Sequence, residues 1–305
     1  MVNSSSNSEE SQISVVYFGA DQFGVSILGR LTQENDFLVK EVICPFPQKK
    51  GRSRELSPTP LENFARQKNL KVTNVDRNCD LEKLDCDFLV VVAFGFLLKR
   101  ELLEMPRRSS VCVHPSLLPK WRGASPIQNQ ILKGDLKVGT SIFLVEEKLD
   151  SGDILNQKEI SLAKEDDYYS LAHKLEQVSA ELLPQTLRQM SLGKITPRSQ
   201  DESQSTYCQK INKSDGEINF KKDSSDFIDR KMKAFKKWPG IFFFHRGKRV
   251  QIKEMVIRET AGEGSIFIPT TDNKFVEILE LQLEGKRALS AADFLAGNQG
   301  FFSDL

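Results

Sequence analysis

The chain has no long apolar run, no paired cysteines and almost no net charge. No stretch of about 18 apolar residues occurs, so no membrane-spanning helix is expected. The five cysteines (44, 79, 86, 112 and 208) are odd in number and scattered without the spacing of metal ligands. They indicate reduced thiols in an intracellular compartment, not a disulfide framework, and no metal site is expected. The net charge of +1 conceals an uneven distribution of charge along the chain.

The apolar residues that are present suffice for two domains. With 305 residues, 39% of them hydrophobic, the chain is long enough for two cores. In its first two thirds, apolar strands alternate with helical patterns, which predicts a doubly wound, mostly parallel α/β sheet that binds ligands at the carboxyl ends of its strands. The expected strands are 15–18, 39–44, 71–75, 88–94 and one that begins at 111, and the expected helices are 23–31, 58–68 and 166–190.

Residues 111–153 carry the most informative pattern. The segment opens as a short apolar strand, whose period of two places Cys112 and His114 on one face. Pro115 and Pro119 then restrict the backbone and remove two donors, so the residues between them are expected to form a stiff apolar loop that lines a flat ligand. A second strand, 140–146, leads to the turn L-D-S-G-D with Asp150 at its tip. A histidine and an aspartate are therefore expected in one cleft.

The block H-P-S-L-L-P-x-W-R-G-A-S-P-I, followed by G-D, G-T and L-D-S-G-D, resembles methionyl-tRNA formyltransferases over nearly the whole chain. The resemblance implies transfer of a formyl group from 10-formyltetrahydrofolate to the amino group of methionine on initiator tRNA. It implies a formyltransferase-type first domain and a small C-terminal β-barrel of the OB type. His114 and Asp150 take the catalytic positions. The implied folate-binding residues are Phe94, Gly95, Ser116, Leu117, Leu118 and Pro119.

The expected roles of His114 and Asp150 follow from the chemistry of formyl transfer. The reaction passes through a tetrahedral intermediate whose negative oxygen needs a hydrogen-bond donor, and the proton of the amine needs an acceptor. His114, held protonated by a nearby carboxylate, is expected to be a cationic donor. Asp150 is expected to hold it in that state and to help move the proton through water.

Cys112 departs from the family pattern, which has an asparagine two residues before the catalytic histidine. A thiol is a weaker and shorter donor than an amide, and the loss of one oxyanion donor costs about 10²–10³ in rate. Three accounts stay open: a slow enzyme that relies on His114, another amide that substitutes in space, or a degenerate paralogue that still binds tRNA. Reduced but real activity is the favoured account. No nucleophilic role is expected, because the transfer needs no covalent intermediate.

Two basic segments are expected to contact tRNA. The first is a long loop at 44–60 with a single acid, Glu55; in the resembled family this insertion reaches the acceptor stem, and Arg52 matches its key arginine. The second is a basic stripe at 230–253 that contains no acid and would attract phosphates. Phe242, Phe243 and Phe244 within the stripe are expected mainly in the barrel core. The candidate tRNA-binding residues are Lys49, Lys50, Arg52, Arg54, Lys233, Lys236, Lys237, Arg246, Lys248 and Arg249.

The expected domains are a disordered segment at 1–13, a catalytic domain at 14–194, a polar linker at 195–206 and an OB-like tRNA-binding domain at 207–305. Residues 1–13 lack the arginines of a mitochondrial presequence, yet D-Q-F-G and H-P-S resemble the mitochondrial branch, so the mitochondrial matrix is favoured over a bacterial-type cytoplasm. A monomer without DNA or membrane partners is expected.

Two alternative functions stay open at this point. One is a related folate-dependent formyltransferase or hydrolase that acts on a small amine such as a sugar nucleotide. The other is a catalytically weakened tRNA-binding paralogue, because Cys112 replaces the family asparagine. The basic loop and the basic stripe favour a tRNA substrate over a small amine, which would not require them.

Overall fold

The computed structural model describes residues 12–50, 55–81 and 83–303. The chain divides into two compact units. The first comprises 1–126, 137–161 and 172–208, and the second comprises 127–136, 162–171 and 209–305. Residues 195–206, which were expected to form a linker, belong to the first unit. They do so because the strand that follows them, Tyr207–Cys208, pairs with Arg122–Gly123.

The strands of the first unit are β1 (Ile13–Gly19), β2 (Phe37–Pro45), β3 (Gln48–Lys50), β4 (Glu55–Ser57), β5 (Val72–Val75), β6 (Phe88–Val92), β7 (Ser109–His114), β8 (Arg122–Gly123), β9 (Lys137–Leu144), β10 (Ile154–Ser161) and β11 (Tyr207–Cys208). The helices are α1 (Gln22–Leu31), α2 (Pro60–Gln67), α3 (Arg100–Leu103), α4 (Pro126–Lys133) and α5 (Tyr168–Ser191). Helices α4 and α5 each contribute residues to both units.

The seven-stranded sheet of the first unit confirms the predicted fold class. Its order is β10-β9-β7-β6-β1-β2-β5. The pairs from β5 to β7 are parallel, whereas β9 is antiparallel to both β7 and β10. A parallel sheet is covered on both faces, and accordingly β1 buries Val15 and Tyr17 on one face and Val16 and Phe18 on the other. Each such side chain contributes about 1.5–3 kcal/mol by its burial.

Local chemistry explains where two of the helices begin. The Asp21 side chain accepts the Gly24 N–H at 3.3 Å and caps α1. Thr59 caps α2 in the same way, and Pro60 occupies the first turn, where a missing N–H costs nothing. No helix in the described part of the chain is long and apolar enough to cross a membrane.

The segment 44–60, expected to be a loop, contains a short antiparallel hairpin. Strand β3 pairs with β4 from Gln48↔Ser57 to Lys50↔Glu55. The alternation of polar and apolar residues in these three-residue strands is too brief to be recognised from sequence. Residues 51–54 lie outside the described part of the chain, and so does the predicted disordered segment up to residue 11.

The second unit contains a curled antiparallel sheet, consistent with the expected small barrel. Its strands are β12 (Ile241–His245), β13 (Lys248–Arg258), β14 (Ile266–Pro269), β15 (Phe275–Leu283) and β16 (Ala288–Ser290). The order is β12-β13-β15-β14, with β16 beside β15. Helices α6 (Ser225–Ala234) and α7 (Ala291–Gly297) accompany it. Phe242 and Phe243 are buried, as expected, but Phe244 is 58% exposed.

Candidate functional site

His114 ends β7 and lies within the first unit. The period of two along the strand places Cys112 and His114 on the same face. The His114 side chain is buried, and its Nε2 lies 2.8 Å from the Trp121 carbonyl oxygen. Because a carbonyl oxygen only accepts, Nε2 carries the hydrogen of this bond. Nδ1 is therefore the ring nitrogen that remains for proton transfer.

Asp150 faces that nitrogen. Its Oδ2 lies 3.7 Å from His114 Nδ1 and also accepts the Gly123 N–H at 2.7 Å. Asp150 has a left-handed backbone (φ +51°), a conformation that aspartate adopts more readily than most residues. Gly152 is required in the same turn because a Cβ there would collide with the Leu144 carbonyl oxygen. The structure thus brings together the two residues that the sequence placed in one cleft.

The connection that carries Asp150 follows a route that the sequence did not indicate. Strand β9 is antiparallel to β7, and its last residue, Leu144, pairs with Val111 instead of His114. Residues 145–153 therefore return along β7 before Ile154 begins β10, which pairs with Phe143. If β9 ran parallel to β7, a short turn after it could hold Asp150 beside His114. Because β9 is antiparallel, the longer segment 145–153 is needed instead.

The loop from Ser116 to Pro119 is held by two polar side chains that sequence reasoning missed. Ser141 Oγ donates to the Ser116 carbonyl at 2.6 Å and accepts the Leu118 N–H at 2.9 Å. Gln157 Nε2 donates to the Leu118 carbonyl at 2.9 Å and to Ser141 Oγ at 2.8 Å. These bonds satisfy buried backbone groups and give the loop one conformation. The sequence carried no signal for them, because both strands also contain other polar residues.

The six candidate folate-binding residues differ in what they expose. Ser116 and Leu118 are 0% and 4% exposed, and Phe94 is 3% exposed and packs edge-on against Phe18 with ring centroids 5.2 Å apart. These three residues therefore present almost no surface to a ligand. Leu117 and Pro119 are partly exposed. Gly95 has φ +84°, and the space beside its Cα is open.

Cys112 lies against an apolar cluster beside His114. It is partly buried and packs against Leu118, Phe143 and Ile154. Burial raises the pKa of the Cys112 thiol well above its ordinary value, and the negative charge of Asp150 raises it further. A thiol in this environment is neutral, and a neutral thiol is a weak nucleophile. The geometry therefore agrees with a non-covalent role for this side chain.

The candidate tRNA-binding residues of the first segment lie largely outside the described residues. Arg52 and Arg54 fall in the range 51–54, of which no structure is given. Lys49 and Lys50 belong to β3, but only their backbone is described. Their predicted contact with tRNA therefore stays a prediction.

In the second unit the basic stripe separates into two parts. The part on α6 and after it is used within the unit. Lys233 Nζ donates to the Lys164 carbonyl at 2.9 Å, Lys236 forms an ion pair with Asp167 at 2.6 Å, and Lys237 Nζ lies 5.0 Å from the centre of the Tyr168 ring. Burial opposes ionisation of Asp167, but its hydrogen bond with Lys236 holds its pKa below the ordinary value.

The part on β12 and β13 faces solvent. Arg246 and Lys248 are exposed. Arg249 is half-buried, with its guanidinium carbon 3.8 Å from the centre of the Phe242 ring. Its buried Nε has no hydrogen-bond partner among the described residues. This part of the stripe has the charges that a phosphate backbone would meet.

Among the described residues, no group of three or more His, Cys, Asp or Glu side chains is arranged to hold a metal ion. The cleft instead offers an imidazole, a carboxylate and backbone N–H groups. This set suits acyl transfer with proton movement.

Comparison with known proteins places the chain in a family. The formyl transferase family model matches residues 11–187, and the model for the formyl transferase C-terminal domain matches residues 210–299. Methionyl-tRNA formyltransferase of Caldicellulosiruptor saccharolyticus is 36% identical over 303 residues, covering 93% of this chain and 96% of the relative. The enzyme of Halothermothrix orenii is 32% identical and covers 93% and 97%.

Solved structures show the same fold at lower identity. The sugar 3N-formyl transferase WlaRD, crystallised with dTDP and 5-N-formyl-THF, has a TM-score of 0.64 and 18% identity, covering 90% of this chain and 99% of that chain. HypX from Aquifex aeolicus, in complex with tetrahydrofolic acid, has a TM-score of 0.60 and 16% identity, covering 97% and 48%. The chain is a formyltransferase and belongs to the methionyl-tRNA formyltransferase family.

Proposed function

We propose that the chain transfers the formyl group of 10-formyltetrahydrofolate to the amino group of initiator methionyl-tRNA. The observation that carries the proposal is the His114–Asp150 pair, with Nδ1 and Oδ2 3.7 Å apart and the opposite ring nitrogen held by the Trp121 carbonyl. Membership of the family supplies the substrate class, and the folate ligands of the solved relatives support a folate-derived donor.

Each step of the reaction has a group in the cleft to serve it. The neutral amine attacks the formyl carbon, and a tetrahedral intermediate with a negative oxygen forms. Protonated His114 donates to that oxygen through Nδ1, because Nε2 is occupied. Asp150 compensates the positive charge of the ring and accepts the amine proton through a water molecule. The intermediate collapses when the bond between the formyl carbon and N10 of the folate breaks, and N10 receives through water the proton that Asp150 accepted from the amine.

The folate is proposed to lie along the loop at Ser116–Pro119 and the end of β6 at Phe94 and Gly95. The hydrogen bonds from Ser141 and Gln157 keep the loop in one conformation before the ligand arrives. Preorganisation of this kind reduces the entropy lost on binding. The open space beside Gly95 leaves the backbone there accessible to the ligand.

The tRNA is proposed to contact the hairpin segment at 48–57 and the exposed cations Arg246 and Lys248. Each phosphate that these side chains neutralise makes binding more sensitive to salt. Lys236 and Lys233 are engaged within their unit, by the ion pair with Asp167 and by the bond to the Lys164 carbonyl. Arg246 also lies over the Phe301 ring, 5.9 Å from its centre, but the residue is exposed. A substrate as small as a sugar nucleotide would not need this exposed basic surface.

The chain is proposed to act as a monomer in the mitochondrial matrix. The motifs D-Q-F-G and H-P-S support that location. A fluorescent fusion of the chain is expected to colocalise with a matrix marker in eukaryotic cells, whereas a diffuse cytosolic signal would contradict the proposal. Light scattering is expected to give the mass of one chain.

A formylation assay tests the proposed reaction directly. Purified protein, 10-formyltetrahydrofolate and charged initiator methionyl-tRNA are expected to give formylmethionyl-tRNA, and His114→Ala is expected to abolish turnover. His173→Ala is the matched control, because His173 is an exposed residue of α5. Salt-dependent tRNA binding without turnover would instead favour the degenerate paralogue. Formylation of an amino sugar nucleotide in preference to the tRNA would favour the small-amine enzyme.

A further inference from the structure

Arg122 is a fully buried arginine whose role is not explained by the proposed chemistry. Its side chain is 0% exposed. Nε and Nη2 donate to Gln200 Oε1 at 3.1 and 2.8 Å, and Nη2 and Nη1 donate to the two carboxylate oxygens of Glu202 at 2.9 and 3.2 Å. Nη1 also donates to the Tyr207 hydroxyl at 3.1 Å. All five N–H donors of the guanidinium are thereby satisfied.

This arrangement fixes the orientation of the Gln200 amide. Because Oε1 accepts two N–H groups of the guanidinium, Nε2 must point away from Arg122. Nε2 donates to the carbonyls of Asp150 at 2.9 Å and Gly152 at 2.7 Å. A flipped amide would place its oxygen against two carbonyl oxygens. Arg122 thus holds the Gln200 side chain, and Gln200 holds the backbone of the turn that bears the Asp150 carboxylate.

Thr206, six residues after Gln200, holds the backbone of residues 121–122, next to the groups that bind His114 and Asp150. Thr206 Oγ1 accepts the Trp121 N–H at 2.9 Å, and the Thr206 carbonyl accepts the Arg122 N–H at 2.9 Å. The Trp121 carbonyl binds His114, and the Gly123 N–H binds Asp150. A Cβ on Gly123 would collide with the Cys208 carbonyl oxygen, so the two strands β8 and β11 approach closely.

We propose that Gln200 is a positioning residue, locked by Arg122 and Glu202, that sets the place of Asp150 against His114. The inference rests on the proposed formyl transfer, in which that pair does the chemistry. Asp150 has a left-handed backbone, which is uncommon outside glycine although aspartate adopts it more readily than most residues. The two bonds from Gln200 Nε2 hold the backbone of this turn, and the Gly123 N–H holds its carboxylate. In this proposal Gln200 acts through Asp150.

Loss of these bonds changes the rate and leaves substrate binding intact. Misplacement of a catalytic group by about 1 Å costs up to roughly 10²-fold in rate. The proposed folate loop is held independently by Ser141 and Gln157. Gln200→Ala is therefore expected to lower kcat about 10- to 100-fold, while KM for 10-formyltetrahydrofolate and for the tRNA stays within about twofold, because both binding surfaces are untouched.

Gln200→Glu separates positioning from a merely structural role. A carboxylate at 200 still accepts the two N–H groups of Arg122, so it restores the partner of the buried cation. It cannot donate to the Asp150 and Gly152 carbonyls. If Gln200 positions Asp150, kcat of Gln200→Glu is expected to stay as low as that of Gln200→Ala. If Gln200 serves only to satisfy Arg122, Gln200→Glu would recover wild-type kcat, and the proposal would be overturned.

A second readout does not depend on turnover. The chain has 3 histidines, so the imidazole ¹⁵N–¹H spectrum of ¹⁵N-histidine-labelled protein contains few signals. The His114 signals are expected to shift in both Gln200 variants, while those of His173 and His245 stay in place. Gln204→Ala, which alters an exposed glutamine of the same segment, is the matched control and is expected to change nothing.

The two readouts separate this inference from the proposed function. Wild-type turnover that His114→Ala abolishes supports formyl transfer, and the Gln200 variants then report on positioning alone. Were the wild type inactive, the proposed function would fail, while the His114 signals would still decide whether Gln200 holds the pair. Unshifted His114 signals in Gln200→Ala, or kcat within twofold of the wild type, would overturn the inference.

Discussion

Replacing Cys112 by asparagine is expected to make the enzyme faster and the fold less stable. Cys112 shares the face of β7 with His114 and reaches the cleft only two residues before it. Burial and the Asp150 charge raise the pKa of its thiol, so the native side chain is neutral. A neutral thiol is a weak hydrogen-bond donor, whereas an asparagine amide has two strong N–H donors and is one bond longer.

The size of the gain follows from the value of one oxyanion donor. Removing such a donor from an acyl-transfer enzyme lowers kcat about 10²–10³-fold, and adding one to a scaffold that already holds His114 and Asp150 should recover about 10²-fold. A factor of 10² corresponds to about 2.7 kcal/mol of transition-state stabilisation. KM is expected to change little, because the interaction forms with the charged oxygen and not with the ground-state formyl group.

The cost in stability arises from the neighbours of Cys112. The side chains of Leu118, Phe143 and Ile154 offer an amide no hydrogen-bond partner, so a partly buried amide at position 112 is expected to lower the free energy of unfolding by about 1–3 kcal/mol when no substrate is bound. Thermal unfolding of Cys112→Asn is therefore expected at a lower temperature than that of the wild type. A higher kcat together with a lower unfolding temperature would support the added amide donor better than either measurement alone.

Two controls and one outcome decide whether this reasoning holds. Cys112→Ala is expected to retain kcat within about threefold, because a weak donor contributes little. Cys112→Ser tests whether a short hydroxyl is enough. If Cys112→Asn folds and its kcat equals that of the wild type, the absent amide is not what limits the rate. If Cys112→Ala loses more than about 10²-fold, the thiol participates in the reaction.

Three further predictions concern stability and binding. Ser141→Ala is expected to lower the free energy of unfolding by about 2 kcal/mol, measured by urea denaturation, because the Leu118 N–H loses its partner. Hydrogen bonds with Arg122 and Lys148 lower the Glu202 pKa to about 2, so the ionised carboxylate stabilises the folded state above about pH 4.5, and this stabilisation is lost as the pH falls towards 2. The difference in melting temperature between the wild type and Glu202→Gln should therefore vanish as the pH is lowered from about 4.5 to about 2. Lys248→Ala should reduce the salt slope of tRNA binding by about 0.9, whereas Lys236→Ala should leave the slope unchanged, as filter binding at several salt concentrations would reveal.

Most of the fold was predictable because its signals are local. Continuous apolar runs such as residues 15–18 and 88–92 indicate strands buried on both faces, and the structure places β1 and β6 in the middle of the sheet. The helix of residues 168–191 follows from its 3.6-residue period. The hairpin at 48–57 was missed because three-residue strands are too short to show a period.

The candidate site was predictable only in part, because its contacts join distant segments. His114 and Asp150 were recognised from their motifs. Ser141 and Gln157 were not, since nothing local distinguishes them from other polar residues of strands. Arg122 and Gln200 are 78 positions apart, and Gln200 also bonds the Asp150 carbonyl, so the segment 195–206 contacts the residues around the candidate site. Long-range polar contacts carry no periodic signal in the sequence.

The sequence by itself determined the family, the mostly parallel first sheet and the identity of the histidine and aspartate. These depend on residue types at fixed spacing and on hydrophobic period, which are properties of the chain alone. The tertiary structure decided which ring nitrogen of His114 is available, which lysines of the basic stripe already have partners, and that the Gln200 side chain bonds the backbone of the Asp150 turn. These features depend on which donors and acceptors lie next to each other in the folded protein. A polar group needs a protein partner only when folding removes it from water, so the sequence alone does not identify that partner.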